Sequence, residues 1–130
     1  MKFLGIDYGT KKIGLAVSDA DGRLAFPLEV VKNNGEFFGK LEVVLSKERI
    51  GEIIVGESLD FAGLPNVLQK EVEFFIAKLG KKFKLPVRSE KEFLTSIEAR
   101  RYLDSKEVDA SAAAIILQRY LDKINHGRKN

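Results

Sequence analysis

The sequence predicts an α/β fold built on one mixed sheet with helices on both faces. Three observations predict it. Three strand-like runs separated by turn residues open the chain. Later, runs with helical spacing alternate with short apolar runs, the order of crossover units whose strands lie parallel. The length, 130 residues, suits a single domain, expected over residues 1–124 with a flexible basic tail at 125–130. The expected element order is βββ-α-β-α-β-α-α, antiparallel at its start and parallel at its finish.

Residues 2–8 form the first expected strand and 13–19 the second, joined by a tight glycine-containing connection. Asp21-Gly22 is a hairpin signal, and a third strand follows over about Leu24 to Val31. Asn33 to Gly35 break the pattern and can start a helix, whose apolar positions Phe37, Phe38, Leu41, Val44 and Leu45 fall at helical spacing. Gly51 is expected to end it. Glu52 to Gly56 then reads as a short apolar strand of the buried parallel kind.

Pro65 and Asn66 should open a second helix, with Leu68, Val72, Phe75, Ile76 and Leu79 on one face and Gly80 past its end. Phe83 to Glu90 is the last expected strand, its Pro86 arguing for a sheet edge. Thr95 to Glu98 matches a capping box and should open a short helix to about Leu103. A final helix is expected from about Val108 to Ile124, with a frayed polar tail from Asn125.

Composition narrows the chemistry. The chain is 45% hydrophobic and 32% charged, the balance of a globular protein. It has no cysteine, which excludes a disulfide scaffold, a thiol nucleophile and Cys-ligated zinc. No apolar run approaches the ~18 residues of a membrane span, and the N-terminus enters a strand at once, so no membrane association and a cytoplasmic address are expected. A net charge of +3 permits an anionic partner without demanding one.

The candidate site residues are carboxylates from distant parts of the chain. Asp7 interrupts an apolar run at the C-terminal end of the first strand, where functional groups gather in α/β sheets. An unpaired carboxylate buried there would cost several kcal/mol, so it caps a turn, pairs with a base or holds a cation. On the strand Phe3, Gly5 and Asp7 share one face. Glu57 follows the fourth strand at the same end. Glu90 and Glu92 follow the fifth, one of them best explained as favourable charge near a helix start. Asp109 is a natural N-cap, yet the alanines after it would let its helix lie close to the sheet.

Singly, each residue is ambiguous. Together they are acids whose mutual repulsion a cation would relieve, and their hard oxygens suit Mg²⁺ or Mn²⁺. Two such ions activate water and stabilise the leaving oxygen in phosphodiester cleavage. Lys11, Lys12, Arg128 and Lys129 are the candidate phosphate contacts. Ordinary solvation explains Arg100 and Arg101. His126, the only histidine, falls in the expected tail and is a poor catalytic candidate.

These residues resemble a known family. "GIDYGTKKIGLAVSD" at the start, "KEVDASAAAIILQRYLD" near the end and, more weakly, "FLTSIEA" are similar to the YqgF family, also called RuvX, of RNase H-like proteins described as Holliday junction resolvases and pre-16S rRNA nucleases. The resemblance covers nearly the whole chain. It implies a five-stranded RNase H-like sheet of order 3-2-1-4-5 and a divalent-metal nuclease acting on structured nucleic acid, pre-rRNA or branched DNA. It places Asp7, Glu92 and Asp109 on the family's acidic positions. Two stretches depart from the family's pattern: Lys91-Glu92-Phe93 lacks an acidic and an arginine neighbour, and Gly56-Glu57-Ser58 replaces a Gly-Leu-Pro turn. The related RuvC-type resolvases place a glutamate after the fourth strand, which nominates Glu57.

Two other readings compete. One is a nucleic-acid-binding module in ribosome assembly with weak or no activity. The other is an actin-like ATP-binding domain, suggested by "GIDYGT", although 130 residues leave no room for a second lobe. A monomer or weak homodimer is expected.

Overall fold

The computed structural model describes residues 1–58, 67–92 and 108–126, with side chains over 1–56, 70–90 and 112–126. The sheet has five strands: β1 (Lys2–Asp7), β2 (Lys12–Ser18), β3 (Ala25–Lys32), β4 (Ile50–Ser58) and β5 (Val87–Glu92). Their order is β3-β2-β1-β4-β5. The first three pair antiparallel, while β4 pairs parallel with both β1 and β5. This is the predicted mixed sheet, and it places β1 at the centre.

Three helices are described: α1 (Phe37–Lys47), α2 (Val67–Phe83) and α3 (Val108–His126). Strand alternation divides the core between the two faces. Leu4, Ile6, Ile53 and Val55 face α1 and α2, meeting Phe37, Leu41 and Leu45 of α1 and Val72, Phe75 and Leu79 of α2. Phe3, Ala16 and Ile54 face α3, meeting Ala113, Ile116, Leu117 and Leu121. Each buried Val, Leu, Ile or Phe side chain among them contributes roughly 1.5–3 kcal/mol.

The close approach foreseen for the alanine-rich helix is present, and glycine on the sheet completes it. A Cβ on Gly5 would lie 2.7 Å from the Cβ of Leu117 and 2.9 Å from the Ala113 carbonyl oxygen. Only a residue without a side chain lets α3 settle there.

Several boundaries differ from expectation. Gly51 does not end α1 but lies inside β4, and Gly80 lies inside α2. The helices are followed instead by Arg49 and Lys84, each at φ 55°. Both take the left-handed conformation that normally favours glycine. Phe83 to Pro86 are not strand: Phe83 closes α2, and β5 runs two residues beyond the expected Glu90. It is an edge strand, as Pro86 suggested.

The turn after β2 is a longer loop than a two-residue hairpin. Asp19 organises it, its Oδ1 accepting the Arg23 and Leu24 N–H groups at 2.8 and 3.3 Å. These bonds, the Arg23 N–H first, hold the Asp19 carboxyl below its ordinary pKa of 3.8. Gly22 sits there at φ 68°.

Asn125 and His126 belong to α3 rather than to a frayed tail, and the Asn125 Nδ2 donates to the Gly22 carbonyl at 2.9 Å. Pro65, Asn66, the capping box at Thr95–Glu98, the short helix to Leu103, and Arg100, Arg101, Arg128 and Lys129 lie outside the described residues. Among the described residues no helix is long and apolar enough to cross a membrane.

Candidate active site at the C-terminal ends of the parallel strands

Asp7 ends the central strand. Its two partners in the sheet are both glycines, Gly14 on β2 and Gly56 on β4. Paired residues on adjacent strands share a face, so neither neighbouring strand sets a side chain beside Asp7. Asp7 lies on the α3 face with Phe3 and Gly5, as the period-2 pattern required.

The first turn of α3 comes to this end of the sheet. The Phe3 and Tyr120 rings lie 6.0 Å apart, and Gly5 meets Leu117 and Ala113. The helix therefore runs antiparallel to β1. Four strand steps from Phe3 to Asp7 span about 13 Å, and eleven helix steps from Tyr120 back to Asp109 about 16 Å. The two lengths agree to within about one helical turn, so the start of α3 lies toward the end of the sheet that carries Asp7. Asp109 is the second residue of α3 rather than the residue before it. Its charge there is favourable with the helix dipole.

The remaining acids occupy the same end by backbone register. Gly56 is paired with both Asp7 and Glu90, Glu57 with Lys91, and Ser58 with Glu92. The three parallel strands β1, β4 and β5 thus end together and carry Asp7, Glu57 and Glu92 at their C-terminal limits. Among the described residues no group of three His, Asp or Glu side chains gathers into a metal cluster. Of the four nominated ligands only Asp7 has a described side chain.

Glu90 has a different role from Glu92. It is buried, 6% exposed, and its carboxylate is paired with Lys123 of α3. Beside it Glu52, also buried, accepts the Tyr120 hydroxyl at 2.8 Å and pairs with the Arg88 Nε at 3.3 Å. Burial first, and then the bond to Glu52, raises the Tyr120 pKa above its ordinary 10.0. This network lies under α3, and sequence reasoning missed it. One signal was available: Glu52 opens an apolar run in phase with Ile54 and so had to be buried or to break the strand.

The loop after Asp7 is held from outside. Gly9 comes so close to Lys12 that a Cβ would stand 2.4 Å from the Lys12 carbonyl oxygen. Asn33, expected only as part of a helix start, donates its Nδ2 to the Gly9 carbonyl at 2.9 Å, and its N–H donates to the Lys11 carbonyl at 2.9 Å. Lys11 and Lys12 are exposed on this tethered loop.

A family model described as RuvX, Holliday junction resolvase, matches residues 1–123. The chain belongs to the RuvX family. Relatives similar over nearly the whole chain carry the name "Putative pre-16S rRNA nuclease". One from Maridesulfovibrio salexigens is 35% identical over 132 residues, covering 93% of this chain and 98% of the relative. Another, from Nitratidesulfovibrio vulgaris, is 38% identical over 134 residues, covering 94% of each. Among solved structures, T. thermophilus RuvC in complex with Holliday junction substrate superposes with a TM-score of 0.62 at 23% identity, covering 96% of both chains. The fowlpox virus Holliday junction resolvase gives 0.58 at 13% identity, covering 96% of this chain and 99% of that one. At these identities the two structures establish the shared RNase H-like fold alone.

Proposed function

We propose that this chain is a divalent-metal-dependent nuclease that cleaves phosphodiester bonds in structured nucleic acid, a single RNase H-like domain over residues 1–124. The observation that carries the reading is Asp7, held at the end of the central strand between two glycines, with α3 running antiparallel to β1 so that it starts toward that end. Membership of the RuvX family and relatives named as pre-16S rRNA nucleases support it.

The donor set fits a hard cation. It offers carboxylate oxygens and no thiolate, since the chain has no cysteine, and such oxygens suit Mg²⁺ or Mn²⁺. Asp7, Asp109 and Glu92, with Glu57, would hold the metal, which when bound supplies activated water and charge stabilisation at the phosphate. The chain's own contribution is to hold these acids on rigid strand and helix ends and to bring the phosphates in. Lys11 and Lys12 steer the backbone from the tethered loop, and Arg128 and Lys129 add positive charge at the C-terminus. A pre-rRNA leader is the favoured substrate, because the relatives carry that name.

The test sets a pre-16S rRNA 5′ leader beside a branched DNA, each with Mg²⁺ and with Mn²⁺. Asp7→Asn keeps the shape of the side chain and removes its charge. It is expected to abolish cleavage while leaving the thermal midpoint unchanged. Cleavage at the wild-type rate by that variant would remove Asp7 from the metal site.

A further inference from the structure

On the other face of the sheet, a groove of about 360 Å³ opens between α2 and the end of β1. Its lining includes Tyr8, Asn33, Phe38, Lys70, Phe74 and Lys78. It begins one residue beyond Asp7. Phe74 is 73% exposed although it lines this groove.

Phe74 is not an isolated surface aromatic. Lys70, Phe74 and Lys78 stand at i, i+4 and i+8 of α2, one stripe along the helix. Lys78 and Lys82 hold their ammonium groups 4.8 and 5.5 Å from the Phe38 ring centroid, which positions positive charge along the groove. Among the described residues neither Lys70 nor Lys78 forms an ion pair. The opposite rim is formed by Tyr8 and Asn33, whose Nδ2 donates to the Gly9 carbonyl at 2.9 Å. Among the described residues the one carboxylate in the lining is Glu71, which accepts the Tyr8 hydroxyl at 3.5 Å.

An accessible ring set between two lysines complements a polyanion that carries flat apolar groups. We propose that this groove holds an unpaired segment of nucleic acid, with a base stacked on Phe74 and the flanking phosphates on Lys70 and Lys78. The proposal rests on the nuclease reading for its substrate class, and it specifies a single-stranded segment beside the cleavage site. A base within a duplex has no free face to offer Phe74. An unpaired one does, and stacking of this kind is worth about 1–3 kcal/mol per base whatever the sequence.

The experiment measures binding without cleavage. A labelled oligoribonucleotide of about 10 residues, single-stranded or annealed to its complement, is titrated with the full chain in EDTA and followed by anisotropy. Phe74→Ala is expected to weaken single-strand binding by about 5- to 150-fold and to leave duplex binding unchanged, while Phe74→Tyr restores the single-strand affinity. Lys70→Ala and Lys78→Ala should each flatten the salt dependence by about 0.7 in slope. Since Phe74 is exposed, its replacement should not disturb folding, which circular dichroism checks.

Wild-type single-strand affinity in Phe74→Ala would overturn the proposal, and so would equal losses for single strand and duplex. A Phe74-dependent dimer in sedimentation would assign the patch to a second copy of the chain and overturn it too. Because no metal is present, a chain that cuts neither leader nor junction would defeat the nuclease reading without changing these binding outcomes.

Discussion

Ile116 of α3 occupies the space above Gly56 of β4, so that a Cβ built on Gly56 would stand 2.2 Å from the Ile116 Cδ1. Gly56 is also the residue paired with Asp7. One register position therefore sets both how near α3 lies to the sheet and what stands beside the candidate ligand.

Gly56→Ala should consequently strain the buried Ile116, and overpacking of this kind costs about 1–3 kcal/mol. Denaturant unfolding would show it as a lower midpoint. Ile116→Val in the same chain should return part of the loss, because residues in contact do not add. Strictly additive effects would mean that the two positions do not compete for space.

Tyr120→Phe removes the donor to Glu52 and leaves that buried carboxylate with Arg88 alone, a loss of roughly 1–3 kcal/mol at neutral pH. It should also change the alkaline limb. The folded chain holds the Tyr120 proton more tightly than the unfolded chain, since its pKa is raised above 10.0. That contribution is fully present below pH 10 and is lost as the pH rises through the folded value. Unfolding free energies measured from pH 9 upward should fall more steeply for the wild type than for Tyr120→Phe. Parallel curves would separate the hydroxyl from alkaline stability.

Arg49, two residues past α1, and Lys84, directly after α2, take φ 55°. A side chain costs roughly 1 kcal/mol in that conformation, and glycine relieves it. Arg49→Gly and Lys84→Gly should each raise stability by about 0.5–1 kcal/mol, because both side chains are exposed and little packing is lost. The two sites are independent, and the double variant should show the sum. A lower unfolding midpoint in either variant would contradict the assigned strain.

The strand ends carry the last prediction. If Glu57 and Glu92 serve one metal, Glu57→Gln and Glu92→Gln should each weaken Mn²⁺ affinity, and the double variant should lose less than the sum. Asp109→Asn should weaken it too, while the lost charge at the helix start lowers stability by no more than about 0.3–1 kcal/mol. Calorimetric titration of Mn²⁺ measures all three. A silent Glu57→Gln in both backgrounds would make Glu57 a loop carboxylate and leave Asp7, Glu92 and Asp109 as the ligand set.

The sequence by itself determined the order of the described elements, the mixed sheet and the face on which Asp7 stands. These follow from local periodicity: two residues per repeat divides Phe3, Gly5 and Asp7 from Leu4 and Ile6, and helical spacing sets Phe37, Leu41 and Leu45 on one side. It also marked Asp7, because a carboxylate ending a buried run needs a reason. Only the tertiary structure decided what surrounds those residues. Whether a buried acid is a ligand candidate or part of a structural network depends on a partner far along the chain: Tyr120 meets Glu52 across 68 residues and Lys123 meets Glu90 across 33. The helix ends were misplaced for a related reason. Glycine is the cheapest residue in the left-handed conformation, but strand pairing set where β4 begins, and Arg49 took the turn while Gly51 went into the sheet. The groove at Phe74 was hidden because its lining comes from the residues that follow β1 and β3 and from α1 and α2, and no local pattern records which lysines will share a surface with an exposed ring.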